Sequence, residues 1–499
     1  MRYSPEIFVD REKELSSLRK WVNEGTNVLV VGLRGYGKTS LFMKFLEEVG
    51  CDFPGVYINC LTIYTGRDLL NSLLEELETL SSRGCIDFDR MFFDALLSRT
   101  RDSRDCLNAL YKLLEKHGIR FIIFDEISTL LRRLGAQKPF RGAGGAKAVA
   151  EHFKALLDRY RGISTIFADT STNFHYELFG KYSGPLFRQY QAMLELEPLS
   201  FGDSIELIRE ILRKRNVGLS DNIVLYIADI SGGVPAYIEM LLAIAEEGMD
   251  IREYEAEVER SLILGLLNRY FEALLDKFSW TEQEVLYAIA KGMTRFSELQ
   301  RSIAGSAQAL NSLVRKGVVI NVKKGPRESY YLIKDKLFTA WLAIREKPGM
   351  RKISFKKARM LTIGFESLVR EIFFTLKESV RIRDELGREI TIEPPKKVYR
   401  YEGALGEIDM VAEYRDYVVV GEIYFGLKCG REKINQLLRH IGIAERLGYK
   451  VRQAILISYF DYPEETIGYA RKISEETPIL LLTEKQLREL SKYSLVRLP

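Results

Sequence analysis

The chain has 499 residues, 46% of them hydrophobic and 29% charged, with a formal net charge of +5. That length exceeds a single hydrophobic core and predicts two to four domains, while no apolar run reaches the roughly 18 residues that a membrane-spanning helix needs. The opening MRYSPEIFVDREKEL lacks signal-peptide anatomy, and Cys51, Cys60, Cys85, Cys106 and Cys429 show neither CxxC spacing nor an even number, so a cytoplasmic protein with reduced thiols is expected.

In chain order, NVLVVGLRGYGKTSLFMKFLEEV is an apolar run, a glycine loop and a helical pattern. The loop fits G-x-x-x-x-G-K-[ST] over Gly32, Leu33, Arg34, Gly35, Tyr36, Gly37, Lys38 and Thr39, with Ser40 following. Glycines let successive backbone N–H groups turn inward around phosphate oxygens, and the positive end of the next helix adds to them. Lys38 is expected to reach the β and γ phosphates and Thr39 to ligate Mg²⁺. A second apolar strand, IRFIIFDEIS, ends in Asp125 and Glu126. There Asp125 takes the metal role and Glu126 that of the base orienting the attacking water. A third strand, GISTIFADTSTNF, ends in Thr170 and Ser171, which are either placed to sense the γ-phosphate or are turn residues. The insertion LRRLGAQKPFRGAGGAKAV carries five basic residues and four glycines, and reads as a solvated loop or a nucleic-acid contact.

FVDREKELSSL, GLRGYGKTS, FIIFDEIS, EPLSFGDS and SGGVPAYIEML together resemble the archaeal-type P-loop ATPases, members of the signal-transduction ATPases with numerous domains and relatives of the AAA+ enzymes. The resemblance covers roughly residues 5–345. It implies ATP as ligand, with Phe8 and Arg11 near the adenine, and a helical lid in which Gly233 and Pro235 approach the nucleotide. Arg188 in GPLFRQY is the candidate charge-neutralising arginine, or a surface residue.

From Arg315 to Arg359 there are 14 Lys or Arg against 3 Asp or Glu. TEQEVLYAIAKG and RFSELQRSIAGSAQALNSLVRKGVV predict three helices, and INVKKGPRESYYLI a hairpin with Lys323, Lys324 and Arg327 at its tip. This order resembles a winged helix-turn-helix. Ser306, Gln308, Asn311 and Ser312 of the second helix of the turn would face a DNA groove, with binding mainly through phosphates; the module equally serves as a protein-interaction lid.

After the basic linker, IGFESLVREIFFTL, GEIDMVAEY, YVVVGEIYF, EKINQLLRHIGIAERLGY and RQAILISYF predict an α-β-β-α-β order that resembles the PD-(D/E)XK nuclease-like core over about residues 360–485. The resemblance implies Mg²⁺ held by Asp409 and Glu422, with Glu366 completing the shell. Glu422 and Tyr424 share a strand face, so Tyr424 stands where such a site keeps a lysine. A neutral phenol cannot replace a cation. The cation is then sought at Lys428, or at Lys433 one helical turn from Gln436. An active nuclease, an inactive nucleic-acid-binding fold and an unrelated α/β accessory domain all remain open.

The expected class is α/β multidomain: a P-loop NTPase parallel sheet (1–200), a helical lid (201–264), a winged helix-turn-helix (265–345), a basic linker (346–359) and a restriction-endonuclease-like α/β domain (360–499). The expected cofactors are ATP and Mg²⁺. The expected partners are DNA and a homo-oligomeric copy, with no membrane.

Overall fold

The computed structural model describes residues 7–142, 144–170, 176–180, 182–325, 328–345, 364–426, 428–474, 478–496 and 498. The expected basic linker, Ser171 and Arg327 lie outside the described residues. The chain divides into two compact units. One holds residues 1–198 with 234–236 and 315–317, and the other holds the remainder.

In the first unit, β1 (Val28–Val31), β2 (Gly55–Asn59), β3 (Phe121–Asp125), β4 (Ser164–Asp169) and β5 (Ala192–Glu195) form a parallel sheet in the order β2-β3-β4-β1-β5. A parallel sheet is covered on both faces, so its strands read as continuous apolar runs; all of FIIFD in β3 is buried. Alternation sends Phe121 and Ile123 into the core shared with helices Glu12–Asn23 and Lys38–Val49. Ile122 and Phe124 go to the opposite core, with Leu69, Leu73, Leu110 and Phe153. Because all five strands run the same way, the segments after β1, β3 and β4 emerge at one edge, where ligands of such sheets bind. Cys51 and Cys85 form a disulfide with Cα atoms 4.6 Å apart, which corrects the expectation of five reduced thiols; 34 residues separate them, and no local spacing announces the pair. Cys60, Cys106 and Cys429 are free and buried.

The second unit begins with helices Phe201–Arg215, Asp221–Ser231 and, further on, Ile251–Ile263. Helices Trp280–Ala290, Phe296–Ser302 and Ser306–Arg315 follow, then the antiparallel hairpin of β6 (Val319–Gly325) and β7 (Glu328–Ile333), then helix Lys336–Ile344. After helix Phe365–Phe374 and the small hairpin of β8 (Val380–Arg383) and β9 (Glu389–Ile392) comes a mixed five-stranded sheet. Its strands β10 (Lys397–Gly403), β11 (Gly406–Glu413), β12 (Val418–Tyr424), β13 (Val451–Ser458) and β14 (Ile479–Leu482) lie in sequence order. The first three are antiparallel neighbours, and β12, β13 and β14 are parallel. The parallel pairs require crossovers, supplied by helices Arg431–Arg446 and Glu464–Ile473. The α-β-β-α-β order is therefore present, with β8 to β10 and β14 added to it.

Residues 199–233 belong to this second unit. Phe201 is 1% exposed and sits in the core of the C-terminal sheet. Its ring centroid is 4.9 Å from that of Phe425, 5.1 Å from Tyr459 and 5.7 Å from Phe365. The Gly202 amide donates to the Tyr459 hydroxyl at 3.2 Å. The Asp229 carboxylate accepts from the Phe365 amide and so caps that helix. Gly364, at φ 88°, brings the backbone so close that a Cβ there would meet Asp229 Oδ2 at 2.8 Å. Among the described residues no helix is long and apolar enough to cross a membrane.

Phe201→Ala should lower stability by about 3 kcal/mol, the usual result of emptying an aromatic core site, as read by urea unfolding of the full chain. A loss below about 1 kcal/mol would contradict the anchoring of residue 201 in this core.

Candidate functional site

Two clusters of ionisable side chains stand out, one in each unit. In the first, Gly35 and Gly37 both take φ 89°, a left-handed conformation that glycine adopts without steric penalty. It turns the loop after β1 inward and starts helix Lys38–Val49. A Cβ on Gly32 would crowd Leu196 at 3.1 Å. Lys38 is buried, and its ammonium donates to the carbonyls of Gly32 at 2.7 Å and Leu33 at 3.4 Å. Burial lowers its pKa, while the negative charges of Glu126, Asp125 and Asp169 act the other way. The Thr39 hydroxyl donates to Asp125 Oδ2 at 2.7 Å, and the Tyr57 hydroxyl to the same oxygen at 2.9 Å. Glu126 starts the next helix in the left-handed region, φ 61°. Burial raises its pKa, opposed by the Thr170 hydroxyl, which donates to its Oε1 at 2.7 Å.

The structure thus gathers the loop from Gly32 to Ser40 with Asp125, Glu126 and Thr170. Arg34 is exposed, while Tyr36 and Phe8 each pack against the core on that face. A Cβ on Gly37 would lie 3.9 Å from Pro235 Cγ, and the Ala236 amide donates to the Gly35 carbonyl at 3.2 Å. Gly233 is held elsewhere, with its carbonyl accepting from the Leu199 amide at 2.8 Å. Arg11 pairs with Glu14 at 2.9 Å and donates to the Glu197 carbonyl, so its guanidinium is already spent on the fold. Arg188 is exposed, with its guanidinium 5.4 Å from the Phe187 ring centroid. Among the described residues it makes no ion pair with Asp125 or Glu126. Tyr57 went unnoticed in the sequence because its partner lies 68 residues away. The residues present fit a nucleotide with its metal: inward-turned glycine backbone, a lysine at the helix start, and a threonine hydroxyl touching a carboxylate.

The second cluster lines a chamber of about 1260 Å³. Asp409 and Glu422, on antiparallel β11 and β12, are 7% and 1% exposed. Asp409 Oδ2 accepts from the Ile423 amide at 3.1 Å. Glu422 is pushed up to about 8, first by burial and then by the Asp409 charge, with Lys433 opposing. Lys433 Nζ donates to Glu422 Oε1 at 2.9 Å and to Gln436 Oε1 at 3.2 Å, and lies 5.0 Å from the Tyr424 ring centroid. The ammonium that touches the acid pair is therefore Lys433, whereas Lys428 contributes only to the chamber wall. His440 Nδ1 is 3.5 Å from Glu422 Oε2, and both atoms are buried without a hydrogen-bond partner. Lys433, Gln436 and His440 follow helical spacing on one face, a signal that was legible but went unread for His440.

Glu366 lines the same chamber, but its carboxylate is paired with Arg400 at 3.4 Å and Arg370 at 3.5 Å. Among the described residues no group of three or more His, Cys, Asp or Glu is arranged around a metal position. This corrects the expected three-acid shell: two arginines hold Glu366. What fits a cation is the Asp409–Glu422 pair alone, whose orphaned Glu422 Oε2 is a buried acceptor with nothing to accept from.

Of the expected DNA contacts, Gln308, Asn311 and Lys323 are exposed. Ser306 is 1% exposed, a correction that helical spacing explains, since it shares a face with the buried Ala309, Leu310 and Leu313. Ser312 donates to Glu282 at 2.6 Å. Lys324 is not a free tip cation either. Its ammonium donates to the Pro395 carbonyl at 3.2 Å, lies 4.6 Å from the Phe374 ring centroid, and is pushed down to about 8 by burial.

Residues 8–241 match the family described as an ATPase domain predominantly from Archaea. No curated protein sequence matches the chain. Among solved structures, a Walker-type ATPase of Pyrococcus abyssi aligns at 21% identity and TM-score 0.54, over 68% of this chain and 97% of that one. The ORC2 protein of Aeropyrum pernix, solved as ADPNP–ADP complexes, aligns at 16% identity and TM-score 0.47, over 68% and 96%. The Holliday junction branch migration motor RuvB of Thermotoga maritima aligns at 17% identity and TM-score 0.35, over 68% and 96%. The N-terminal part of the chain thus matches an archaeal-type ATPase domain and has a parallel-sheet P-loop fold.

Glu422 holds its proton more tightly folded than unfolded, so its contribution to stability is complete below about pH 4.5 and is lost as pH rises towards 8. Glu422→Gln should remove that slope and leave the metal-free protein more stable than wild type at pH 8, as read by urea unfolding across pH. A wild-type stability that is flat between pH 5 and 8 would contradict it.

Proposed function

We propose that the chain is an ATP-hydrolysing, DNA-associated protein whose nucleotide-driven motion controls a metal-dependent, restriction-endonuclease-like site in its C-terminal domain. The observation that carries this reading is the pair of buried carboxylates, Asp409 and Glu422, facing Lys433 in a chamber large enough for a phosphodiester. Two desolvated acids side by side destabilise a fold unless one is protonated or a cation joins them.

In the N-terminal domain, Lys38 and the glycine loop would bind the phosphates, with Thr39 and Asp125 holding Mg²⁺. When bound, the metal neutralises charge on the phosphates. Glu126, with its proton affinity raised and its carboxylate oriented by Thr170, accepts a proton from the attacking water. In the C-terminal domain, Asp409 and Glu422 would hold the cation that polarises the scissile phosphate. Lys433 then takes over the electrostatic role that Tyr424 cannot fill. Residues 265–345 are read as a winged helix, with Gln308, Asn311 and Lys323 its remaining DNA-facing groups. Helices Asp221–Ser231 and Ile251–Ile263, expected as the lid, contribute wall residues to the chamber of the acid pair. That shared wall gives a lid movement a direct means of changing access to the acids. The pairing of Glu366 with two arginines favours a second reading: an ATP-dependent switch or loader whose nuclease-like domain binds nucleic acid without cutting it.

Lys38→Ala should abolish ATP binding, and Glu126→Gln should bind ATP while lowering kcat about 10²–10⁴-fold, as measured by nucleotide binding and phosphate release. Normal turnover by Glu126→Gln would remove the base assignment. Wild type with Mg²⁺ or Mn²⁺ should nick DNA, while Asp409→Ala and Lys433→Ala should each lose at least 100-fold in rate. No cleavage by wild type under any divalent metal would leave the switch reading standing.

A further inference from the structure

A second cleft, of about 670 Å³, lies in the same unit between the turn after helix Trp280–Ala290, the hairpin strand β7, helices Lys336–Ile344 and Phe365–Phe374, and strand β10. Its wall carries six basic side chains and a single carboxylate, Glu371, which is neutralised by Lys336. Lys291, Arg295, Lys397 and Arg400 are among the six. None of these positions belongs to the helix-turn-helix face or the hairpin tip.

We propose that this cleft is a binding site for single-stranded nucleic acid, whose phosphates it takes on Arg295 and Lys397 and whose bases it stacks on Tyr330 and Phe374, with Arg400 held in the wall by Glu366 and Glu407. The aromatic rings decide for a single strand, because a duplex hides its base faces while an unpaired strand presents them. The Tyr330 and Phe374 rings lie 5.4 Å apart at 84°, and the Arg295 guanidinium lies 5.4 Å from the Tyr330 ring centroid. Lys324 Nζ lies 4.6 Å from the Phe374 ring centroid and is partly desolvated, a position in which a neighbouring phosphate stabilises its charge.

The cleft also has a direction. Arg400 lines both this cleft and the chamber of the acid pair, and Arg370, on the cleft wall, donates to the Asp409 carbonyl at 2.9 Å. The wall helices of the chamber present Asp229, Glu255 and Glu259 with one cation, Arg252, a lining less favourable to phosphate than the basic cleft. A strand lying in the basic cleft therefore arrives at Asp409 and Glu422 past Arg400. This direction rests on the phosphodiester reading of the acid pair, whereas binding in the cleft does not.

The test uses full-length Asp409→Ala, in which binding is read without cleavage, and a 5′-labelled 20-residue oligothymidylate followed by fluorescence anisotropy. Adding Arg295→Glu and Lys397→Glu, both exposed positions, should weaken binding at least tenfold. The slope of log affinity against log salt should become shallower by about 0.7 per cation removed. Retained ATP hydrolysis shows that the variant is folded. Oligouridylate in place of oligothymidylate distinguishes RNA from DNA as the source of the strand, and binding of either, lost in the double variant, is the expected result. Affinity unchanged by the double substitution, or equal competition by a duplex of the same length, would overturn the proposal. Strand binding through the cleft without any metal-dependent cutting by wild type would remove the nuclease reading and leave the cleft standing. Cutting with unaltered KM in the double variant would do the reverse.

Discussion

Two carboxylates placed side by side away from water constrain everything around them. Asp409 and Glu422 sit on neighbouring strands one step beyond the Met410–Gly421 pair, at a place where β11 shifts register against β10 and Ile408 and Met410 enter the cores on opposite faces of the sheet. The surrounding residues answer the resulting repulsion: the Ile423 amide bonds Asp409, Lys433 bonds Glu422, and Glu422 retains a proton well above the ordinary range. A buried pair of this kind, with one oxygen left unpartnered, detracts from stability. Under the proposed function, a cation and a phosphate would offset that cost.

The ATPase site solves a different problem with similar parts. There Asp125 is already satisfied by hydroxyls from Thr39 and Tyr57, and Glu126 by Thr170. The glycine loop offers backbone donors in series, whereas at the acid pair the Ile423 amide donates to Asp409. Under the proposed function, the first site would receive a polyanion that brings its own metal, and in the second the carboxylates would hold the metal while Lys433 faces the phosphate. Phe201, anchored among Phe365, Phe425 and Tyr459, ties the segment after the ATPase sheet to the core that supports the acid pair.

The parts legible in the sequence were those encoded locally. Gly32 to Ser40 and the FDE at Asp125 and Glu126 announce themselves through apolar strands ending in a glycine loop or acids, and the structure gathers them as that pattern requires. The order of helix, paired strands, helix and strand after residue 364 was readable from hydrophobic period alone. What escaped depended on distance or facing. Cys51 and Cys85 pair across 34 residues. Phe201 and Asp229 act on partners more than a hundred residues away. Ser306 looked like a groove contact until its period with Leu310 and Leu313 placed it inside. Glu366 has the right position on its helix, yet Arg370, one turn later, and Arg400 on β10 claim its charge. Lys428 is the nearer of the two lysines to Glu422 in sequence, yet the helix beginning at Arg431 turns Lys433 onto it.

Direct titration of Mn²⁺ into the nucleotide-free protein at pH 7, with proton release recorded alongside heat, tests the acid pair most directly. The account predicts one ion bound per chain with uptake coupled to loss of a proton from Glu422, abolished by Asp409→Asn and retained in Lys38→Ala. Binding that survives Asp409→Asn, or no binding by wild type at millimolar Mn²⁺, would contradict it.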